Sequence, residues 1–425
     1  MALTGRAALL ALLAVVPVLL GGPVVLLVLL ILLVLAVLVD VALAGAVSSL
    51  EIARDGATSC RLGDAAEVRL QLTARSRRVR GVLRDAWQPS ACASPDIQAF
   101  DVPAGERRVL TTVLRPTRRG DRLPDRVTIR SIGPLGVAGR QGRHEFAWRV
   151  RVQPPFTSRK HLPERLARLR TLDGLVAARV RGQGTEFDSL REYVDGDDVR
   201  SIDWRATARR TETVVRTWRP ERDRQLLLVL DTGRTSAGRV GDVPRLDAYL
   251  DATLLLTALA SRAGDRVDVL AVDRRVRAAV EGASRTDVLQ RVVEATAGLE
   301  AELVETDGRR LVGEVLRRAR RRSLVVLLTS LDTAAVEEGL LPVLGSLTHR
   351  HTVLLAAVAD PRVAELAADR SQVYEAAAAE RALGERRRVS AVLRRRGVLV
   401  VDAVPDQLAP ALADAYLDLK AAGRL

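Results

Sequence analysis

A charge-free apolar run near the N-terminus constrains this chain more than any other feature. No Asp, Glu, Lys or Arg occurs between residues 7 and 39. About twenty apolar residues are enough to cross a bilayer as a helix, so this run is too long for one span. Residues 21–23, Gly-Gly-Pro, lie in its middle, where they would end one helix and begin the next. We therefore predict a two-helix transmembrane hairpin within residues 1–50, with helices at about 2–20 and 24–47.

The charges on either side of this run predict its orientation in the membrane. Arg6 precedes the run, Arg54 and Arg61 follow it, and the connecting turn carries no positive charge. By the positive-inside rule, the bulk of the chain is expected in the cytoplasm, as a multi-pass protein of the cell membrane. A cleaved signal peptide is the alternative, because Ala44-Gly45-Ala46 offers the small residues of a cleavage site. An apolar region of about thirty residues is longer than a secretory signal uses, which favours the hairpin.

The composition narrows the classes of partner and cofactor. The formal net charge of +14 would suit an anionic partner, but aromatic residues make up only 3% of the chain. Without aromatic side chains on which bases could stack, we expect no nucleic-acid partner. Cys60 and Cys92 are the only cysteines and show neither metal-ligand spacing nor a disulfide framework. With four histidines in the whole chain, no zinc site is expected either.

The rest of the chain divides by its hydrophobic pattern. Short alternating stretches between Gly and Pro turns predict a small β-sandwich over residues 55–155. A polar region, 160–222, follows. From 223 to 425, apolar runs typical of parallel strands (LLLVL, VDVLAV, LVVLLT, TVLLAAV and VLVV) alternate with amphipathic helical segments. This alternation predicts a doubly wound, Rossmann-like α/β domain that binds ligands at the carboxyl ends of its strands.

A dense signature, TEFDSLREYVDGDDVRSIDWRATARR, stands directly before the first of these strands. Its pattern, E-F-x-x-L-R-x-Y-x-x-G-D-D-x-R-x-I-D-W-R-A-x-A-R, closely resembles that of the family called "domain of unknown function 58". The matching positions are Glu186, Phe187, Leu190, Arg191, Tyr193, Gly196, Asp197, Asp198, Arg200, Ile202, Asp203, Trp204, Arg205, Ala206, Ala208 and Arg209. The resemblance implies a von Willebrand A-like fold for residues 223–425 and a partnership with a MoxR-type AAA+ ATPase. It implies no settled biochemical activity.

The resemblance also points to a metal-ion-dependent adhesion site in degenerate form. The first strand of a von Willebrand A domain ends in D-x-S-x-S, whose oxygens hold Mg²⁺. Here Asp231 and Thr235 match that pattern, but Gly233 lacks the hydroxyl of the middle position. Thr286 and Asp332 are the candidate ligands from later loops, so any Mg²⁺ is expected to bind weakly. The alternative is that Asp231 only accepts backbone hydrogen bonds in its turn.

The signature itself combines opposite charges at high density. Three carboxylates surround Gly196, and several arginines lie close by in sequence. We expect an ion-pair network that holds a loop in one geometry, with Trp204 as its buried anchor, to form a docking surface. Its members would be Glu186, Tyr193, Asp197, Asp198, Asp203, Trp204, Arg205 and Arg209. A solvated charged turn is the plainer interpretation.

Together these patterns favour a non-enzymatic, membrane-anchored adaptor or scaffold of the von Willebrand A type, acting in protein complex assembly or in the cell envelope. The sequence carries no phosphate-binding loop and no nucleophile beside a base. Two alternatives stay open. One is a metal-dependent hydrolase that uses Asp231 and Asp332, and the other is a structural envelope protein whose β-sandwich binds a surface component.

Overall fold

The computed structural model describes residues 2–179, 186–209, 212–219, 224–241, 243–282, 286–369 and 371–425. The chain divides into two compact units, Met1–Gln153 and Pro154–Leu425. Each contains its own sheets and its own clusters of buried hydrophobic residues.

The first unit begins with two apolar helices, α1 (Gly5–Leu13) and α2 (Val15–Leu43). Helix α2 is interrupted at Gly22, whose φ of 70° lies in the left-handed region that a glycine adopts without strain. Within the described residues, one helix, Gly22–Ser49, is long and apolar enough to cross a membrane, with a mean hydropathy of 3.5. The apolar helix before it, Gly5–Pro17, is shorter. The length and composition of one helix thus indicate membrane association, and the two-span topology stays a prediction.

The strands of the first unit form three sheets that enclose one main core. They are β1 (Ala2–Leu3), β2 (Leu50–Gly56), β3 (Ser59–Arg61), β4 (Ala66–Ala74), β5 (Val79–Trp87), β6 (Ala93–Ser94), β7 (Ile97–Val102), β8 (Arg107–Leu114), β9 (Gly120–Arg122), β10 (Pro124–Ile132), β11 (Ala138–His144) and β12 (Val150–Gln153). One sheet has the order β1-β11-β10-β5-β7, a second β2-β4-β8-β6 and a third β3-β12-β9, and every strand pair is antiparallel except β3 with β12. Alternate residues of β4, such as Leu70 and Leu72, pack against Leu83 and Ile129 of the first sheet.

The second unit is mixed α/β, as the alternation of apolar runs and amphipathic segments predicts. Its strands are β13 (Glu186–Glu192), β14 (Val214–Arg219), β15 (Gln225–Asp231), β16 (Arg239–Val240), β17 (Val243–Pro244), β18 (Arg266–Val272), β19 (Val276–Val280), β20 (Leu324–Leu328), β21 (Thr352–Val358) and β22 (Leu399–Ala403). Its helices are α3 (Leu162–Arg179), α4 (Trp204–Thr207), α5 (Arg234–Ala237), α6 (Arg245–Arg262), α7 (Val288–Ala297), α8 (Gly308–Arg318), α9 (Leu341–Thr348), α10 (Pro361–Ala368), α11 (Val373–Arg395) and α12 (Pro405–Ala421).

The main sheet of this unit has the order β19-β18-β15-β20-β21-β22. Its strands pair in parallel, apart from the antiparallel edge strand β19. Alternate residues of β15 belong to two separate cores: Leu226 and Leu228 pack with α6 and α12, whereas Leu227 and Val229 pack with α8 and α9. Because both faces are covered, β15 is apolar from Leu226 to Leu230, and only its last residue, Asp231, is charged.

Candidate functional site

The carboxylate of Asp231 lies at the carboxyl end of β15, in the middle of the main sheet. Its side chain is buried, and the residue is only 4% exposed. The neighbouring strand β20 runs parallel to β15, with Leu230 opposite Leu328. Thr329, which follows Leu328, therefore reaches the same edge of the sheet as Asp231.

Three threonine hydroxyls and one backbone amide donate hydrogen bonds to this carboxylate. Oδ1 accepts from the Gly233 N–H at 2.8 Å and from Thr306 Oγ1 at 2.5 Å. Oδ2 accepts from Thr329 Oγ1 at 2.6 Å and from Thr235 Oγ1 at 3.2 Å. Such a set of donors satisfies a buried carboxylate without an ammonium or guanidinium partner.

Gly233 leaves the space that Thr306 fills. A Cβ placed on Gly233 would lie 2.2 Å from Thr306 Oγ1, 2.8 Å from the Val304 carbonyl oxygen and 3.2 Å from Asp231 Oδ1. The hydroxyl absent from position 233 is thus replaced in space by the hydroxyl of Thr306. Sequence reasoning missed Thr306 and Thr329, although Thr329 directly follows an apolar strand, a position that could have drawn attention to it.

The structure brings Thr235 to Asp231 but places the other two predicted ligands elsewhere. Thr286 is exposed just before α7. Asp332 is also exposed, and its Oδ1 accepts a hydrogen bond from the Ala335 N–H at 3.3 Å. Neither residue is part of the lining of the cleft beside Asp231. Asp332 instead accepts a hydrogen bond in the turn that begins the next helical segment.

A cleft of about 320 Å³ opens beside Asp231. Apolar side chains such as Leu311, Val336 and Leu340 line its inner part. At its mouth, Arg234 forms an ion pair of 2.7 Å with Glu305. The side-chain polar atoms that contact Asp231 are the hydroxyl oxygens of Thr235, Thr306 and Thr329, and oxygen is the ligand atom that Mg²⁺ prefers. However, the described part of the chain contains no group of three or more His, Cys, Asp or Glu side chains arranged to hold a metal ion.

The signature forms a second candidate site, an antiparallel hairpin of β13 and β14 with α4 between them. Asp203 caps α4, because its Oδ1 accepts from the N–H groups of Arg205 and Ala206, each at 3.0 Å. Its Oδ2 accepts from Arg216 Nε at 2.7 Å. The Ala206 N–H and the Arg216 guanidinium hold the pKa of Asp203 below its usual range. Asp203 thus ties the loop between the strands to β14.

Two further aspartates order the turn that follows β13. Asp197 accepts from Arg191 Nη2 at 2.6 Å and from the Val194 N–H at 3.0 Å. The Arg191 hydrogen bond is the main reason that the pKa of Asp197 is lowered. Asp198 Oδ1 accepts from the Arg200 N–H at 2.9 Å and caps a short 3₁₀ turn. Ion pairs of the expected kind are therefore present at Asp197 and Asp203, and the structure adds the caps made by Asp198 and Asp203.

Trp204 is not the buried anchor that the sequence suggested. It is 66% exposed, and Val194 and Val199 are 61% and 60% exposed. The burial prediction was wrong because Asp203 already fixes α4 through backbone hydrogen bonds, while Val214 and Val215 of β14 supply the buried apolar contacts.

The remaining signature residues vary in their exposure. Tyr193 is half-buried, and its N–H donates to the Thr213 carbonyl at 2.8 Å. Arg205 and Arg209 are exposed and have no carboxylate within ion-pair distance among the described residues. Glu186 begins β13, and its side chain lies outside the described part of the chain.

Solved structures offer only weak likenesses. The sporulation control protein Spo0M from Bacillus subtilis aligns with a TM-score of 0.16 and 9% identity, covering 33% of this chain and 59% of that one. A family 123 glycoside hydrolase from Clostridium perfringens gives a TM-score of 0.16 and 6% identity, covering 73% and 64%. In both cases the match spans less than two thirds of the solved chain. At these scores neither likeness carries an argument about fold or activity.

The matches in sequence are more informative. The family model described as "Protein of unknown function DUF58" matches residues 189–396, which include most of the signature hairpin and the Asp231 site. Uncharacterized protein Rv1480 of Mycobacterium tuberculosis and uncharacterized protein Mb1516 of Mycobacterium bovis are each 30% identical over 236 residues. The alignment covers 51% of this chain and 72% of each relative. This chain therefore belongs to the DUF58 family.

Proposed function

We propose that this protein is a membrane-anchored, non-enzymatic adaptor that binds a partner protein through its signature hairpin. The observation that carries the proposal is the exposure of Trp204, with Val194 and Val199, on a loop that is already held in place. Tryptophan is among the residues that contribute most to protein–protein binding when a partner buries them. Large apolar side chains that are exposed on an otherwise charged segment are candidates for such contacts.

The hairpin is ordered without help from Trp204. Asp203 caps α4 and binds Arg216, and Asp197 binds Arg191. A binding surface that is ordered before the partner arrives loses less conformational entropy on association. This arrangement favours a docking role over a purely structural clasp, in which the indole would be covered by the protein's own core.

The partner that family resemblance implies is a MoxR-type AAA+ ATPase. This chain carries no phosphate-binding loop of its own, so nucleotide hydrolysis would be the partner's contribution. The exposed arginines of the signature, Arg200, Arg205 and Arg209, favour an acidic surface on that partner.

A von Willebrand A-like identity for the second unit is part of the same proposal. It is supported by the mostly parallel sheet with β15 between β18 and β20, and by Asp231 at the carboxyl end of β15. In that fold, a carboxylate with nearby hydroxyls engages a partner at the edge of the sheet. The cleft beside Asp231 would then receive part of the client or of the ATPase.

The anchor is proposed to be a two-helix hairpin with the bulk of the chain in the cytoplasm. Support comes from the two ends of the apolar region, which contact the same loop before β11. Thr4 donates from its N–H to the Val137 carbonyl at 3.0 Å, and Asp40 Oδ2 accepts from the Val137 and Ala138 N–H groups at 2.6 and 2.7 Å. A chain whose apolar segment starts and ends at one loop has to turn back on itself, and the break at Gly22 allows this.

Affinity recovery of the tagged full-length protein from cross-linked membranes tests the proposal. We expect the wild-type protein to recover a MoxR-type ATPase in the presence of at least one of ATP, ADP or a non-hydrolysable analogue. The Trp204→Ala variant should recover at least tenfold less of this ATPase. Tyr374→Ala is the matched control, because Tyr374 is 93% exposed and lies far from the hairpin in sequence. Recovery of no AAA+ ATPase under any nucleotide condition would refute the partner. Equal recovery with Trp204→Ala would refute the docking surface.

A second candidate function is a metal-dependent hydrolase. The feature in its favour is the group of oxygens formed by Asp231, Thr235, Thr306 and Thr329, which would hold Mg²⁺ weakly unless a partner supplied another carboxylate. Asp332, its other proposed catalytic group, is outside the cleft lining. Calorimetric titration with Mg²⁺ and Mn²⁺ separates the two functions. Tight stoichiometric binding, together with a turnover that Asp231→Ala abolishes, would establish the enzyme and reject the adaptor.

A further inference from the structure

Three arginines surround the loop of the first unit on which the apolar helix α2 ends. This loop, residues 133–138, connects β10 to β11. Arg80 Nη2 donates to the Gly133 carbonyl at 2.9 Å, and Arg140 Nε donates to the Val41 carbonyl of α2 at 3.0 Å. The guanidinium of Arg6 lies against Gly136, since a Cβ on that glycine would be 2.8 Å from Arg6 Nη1. All three positive charges therefore lie at the end of the apolar helix.

Few acidic side chains lie near these arginines. Asp101 faces Arg80 across the pairing of β5 and β7, but its carboxylate already accepts hydrogen bonds from Nε and Nη2 of Arg78. Within the described residues, no carboxylate lies within ion-pair distance of Arg6, Arg80 or Arg140. Asp40 is close to the loop, but it is fully buried and accepts hydrogen bonds from the N–H groups of Leu135, Val137 and Ala138. The cluster therefore retains a net positive charge that faces outward, because Arg6 and Arg80 are exposed.

The same contacts set the depth of the cluster relative to a bilayer. Asp40 joins the last turns of α2 to this loop, and Arg140 joins them to β11, so the helix cannot slide past the loop. Leu43, at the end of α2, is 62% exposed, and Leu135 at the tip of the loop is 50% exposed. Exposed leucines beside arginines at the end of an apolar helix match the chemistry of the bilayer interface, where acyl chains meet phosphates.

We propose that Arg6, Arg80 and Arg140 form a binding site for the phosphate of anionic phospholipid headgroups at the base of the membrane anchor. The inference rests on the membrane anchoring proposed above. Guanidinium groups bind phosphate oxygens through paired hydrogen bonds, and each basic residue near an anionic membrane surface strengthens binding about fivefold. The site would hold the β-sheets of the first unit against the inner surface of the membrane.

Native mass spectrometry of the full-length protein, released from nanodiscs, tests the site. The nanodiscs contain phosphatidylcholine with or without phosphatidylglycerol, and the retained lipid is counted. We expect wild type to retain phosphatidylglycerol preferentially. The double variant Arg80→Gln/Arg140→Gln should lose this preference by a factor on the order of ten. Arg80→Lys/Arg140→Lys should keep most of it, which distinguishes charge from loss of packing.

The matched control is Arg115→Gln/Arg118→Gln, which removes two exposed charges from another loop of the same unit. It should retain phosphatidylglycerol as wild type does. An equal loss in both glutamine variants would overturn the site, because the effect would then come from net charge alone. If wild type retains phosphatidylglycerol without preference, the phospholipid site is also overturned. In that case, protein that is found in the nanodiscs would still support the membrane anchor. Protein that enters no nanodisc would reject both the anchor and the site.

Discussion

Replacing Gly233 by Ser should destabilise the Asp231 loop, although Ser is the residue that the resemblance leads one to expect there. The new Cβ would lie 2.2 Å from Thr306 Oγ1 and 2.8 Å from the Val304 carbonyl oxygen, both far inside van der Waals contact. Backbone strain is not the cause, because Gly233 has a φ of −80°, which any residue can adopt. The loss of stability comes from a steric clash, because the Thr306 hydroxyl already occupies the space that the new side chain would need.

The structure gives the size of each effect. Overpacking a well-packed site costs about 1–3 kcal/mol. Thr306→Ala removes a hydrogen bond of 2.5 Å to a buried carboxylate, which costs roughly 1.5–3 kcal/mol. In the double variant Gly233→Ser/Thr306→Ala, the closest clash is gone and the serine hydroxyl can approach Asp231. We therefore expect the double variant to be less destabilised than the sum of the two single variants by at least about 1 kcal/mol.

Native-state hydrogen exchange of the full-length protein in detergent measures these changes locally. The amides of β15 and of the loop after it should exchange roughly fivefold to a hundredfold faster in each single variant. Gly298→Ser is the control, because a Cβ on Gly298 meets no atom within 4 Å. If the effects of Gly233→Ser and Thr306→Ala simply add, then the two residues do not share one position, and the assignment of Thr306 as the replacement hydroxyl is refuted.

Two further predictions concern buried polar groups outside this site. In Asp40→Asn, one of the three backbone N–H groups that now donate to the carboxylate would face an amide N–H₂ donor. The amides of Leu135–Ala138 should therefore exchange with solvent at least about fivefold faster. Unchanged exchange would show that the carboxylate does not hold the loop. Burial, helped by the charge of Arg350, lowers the pKa of His351 below 6.5. The unfolded chain then binds the proton first, so the stabilisation is complete above about pH 6.5 and is lost as the pH falls toward the lower, folded-state pKa. The thermal unfolding midpoint should therefore decrease on acidification. The decrease should be smaller in His351→Phe than in a variant of the exposed His349. Identical pH profiles of the two variants would contradict the assignment of this effect to His351.

Some features could be recognised from the sequence because they depend on neighbours along the chain. The apolar N-terminal run predicted helices of membrane-spanning character, and one described helix is long and apolar enough to cross a membrane. The alternation of apolar strands with amphipathic helices predicted an α/β domain, and the second unit is mixed α/β. Asp231 was recognisable because it is the charged end of an apolar strand, and Thr235 lies one helical turn further on. The caps made by Asp198 and Asp203 are likewise local, since each joins residues no more than three positions apart.

The partners of Asp231 and the exposure of Trp204 were decided only by the tertiary structure. Thr306 and Thr329 are 75 and 98 positions away from Asp231, and they reach it because β20 pairs with β15 and because the loop before α8 crosses the same edge of the sheet. Strand order sets these distances, and no local pattern encodes it. Tryptophan is a large, mostly apolar residue of the kind often found in cores, but a side chain is buried only if another element packs over it. In this chain the backbone caps of α4 hold the loop, and the indole stays exposed.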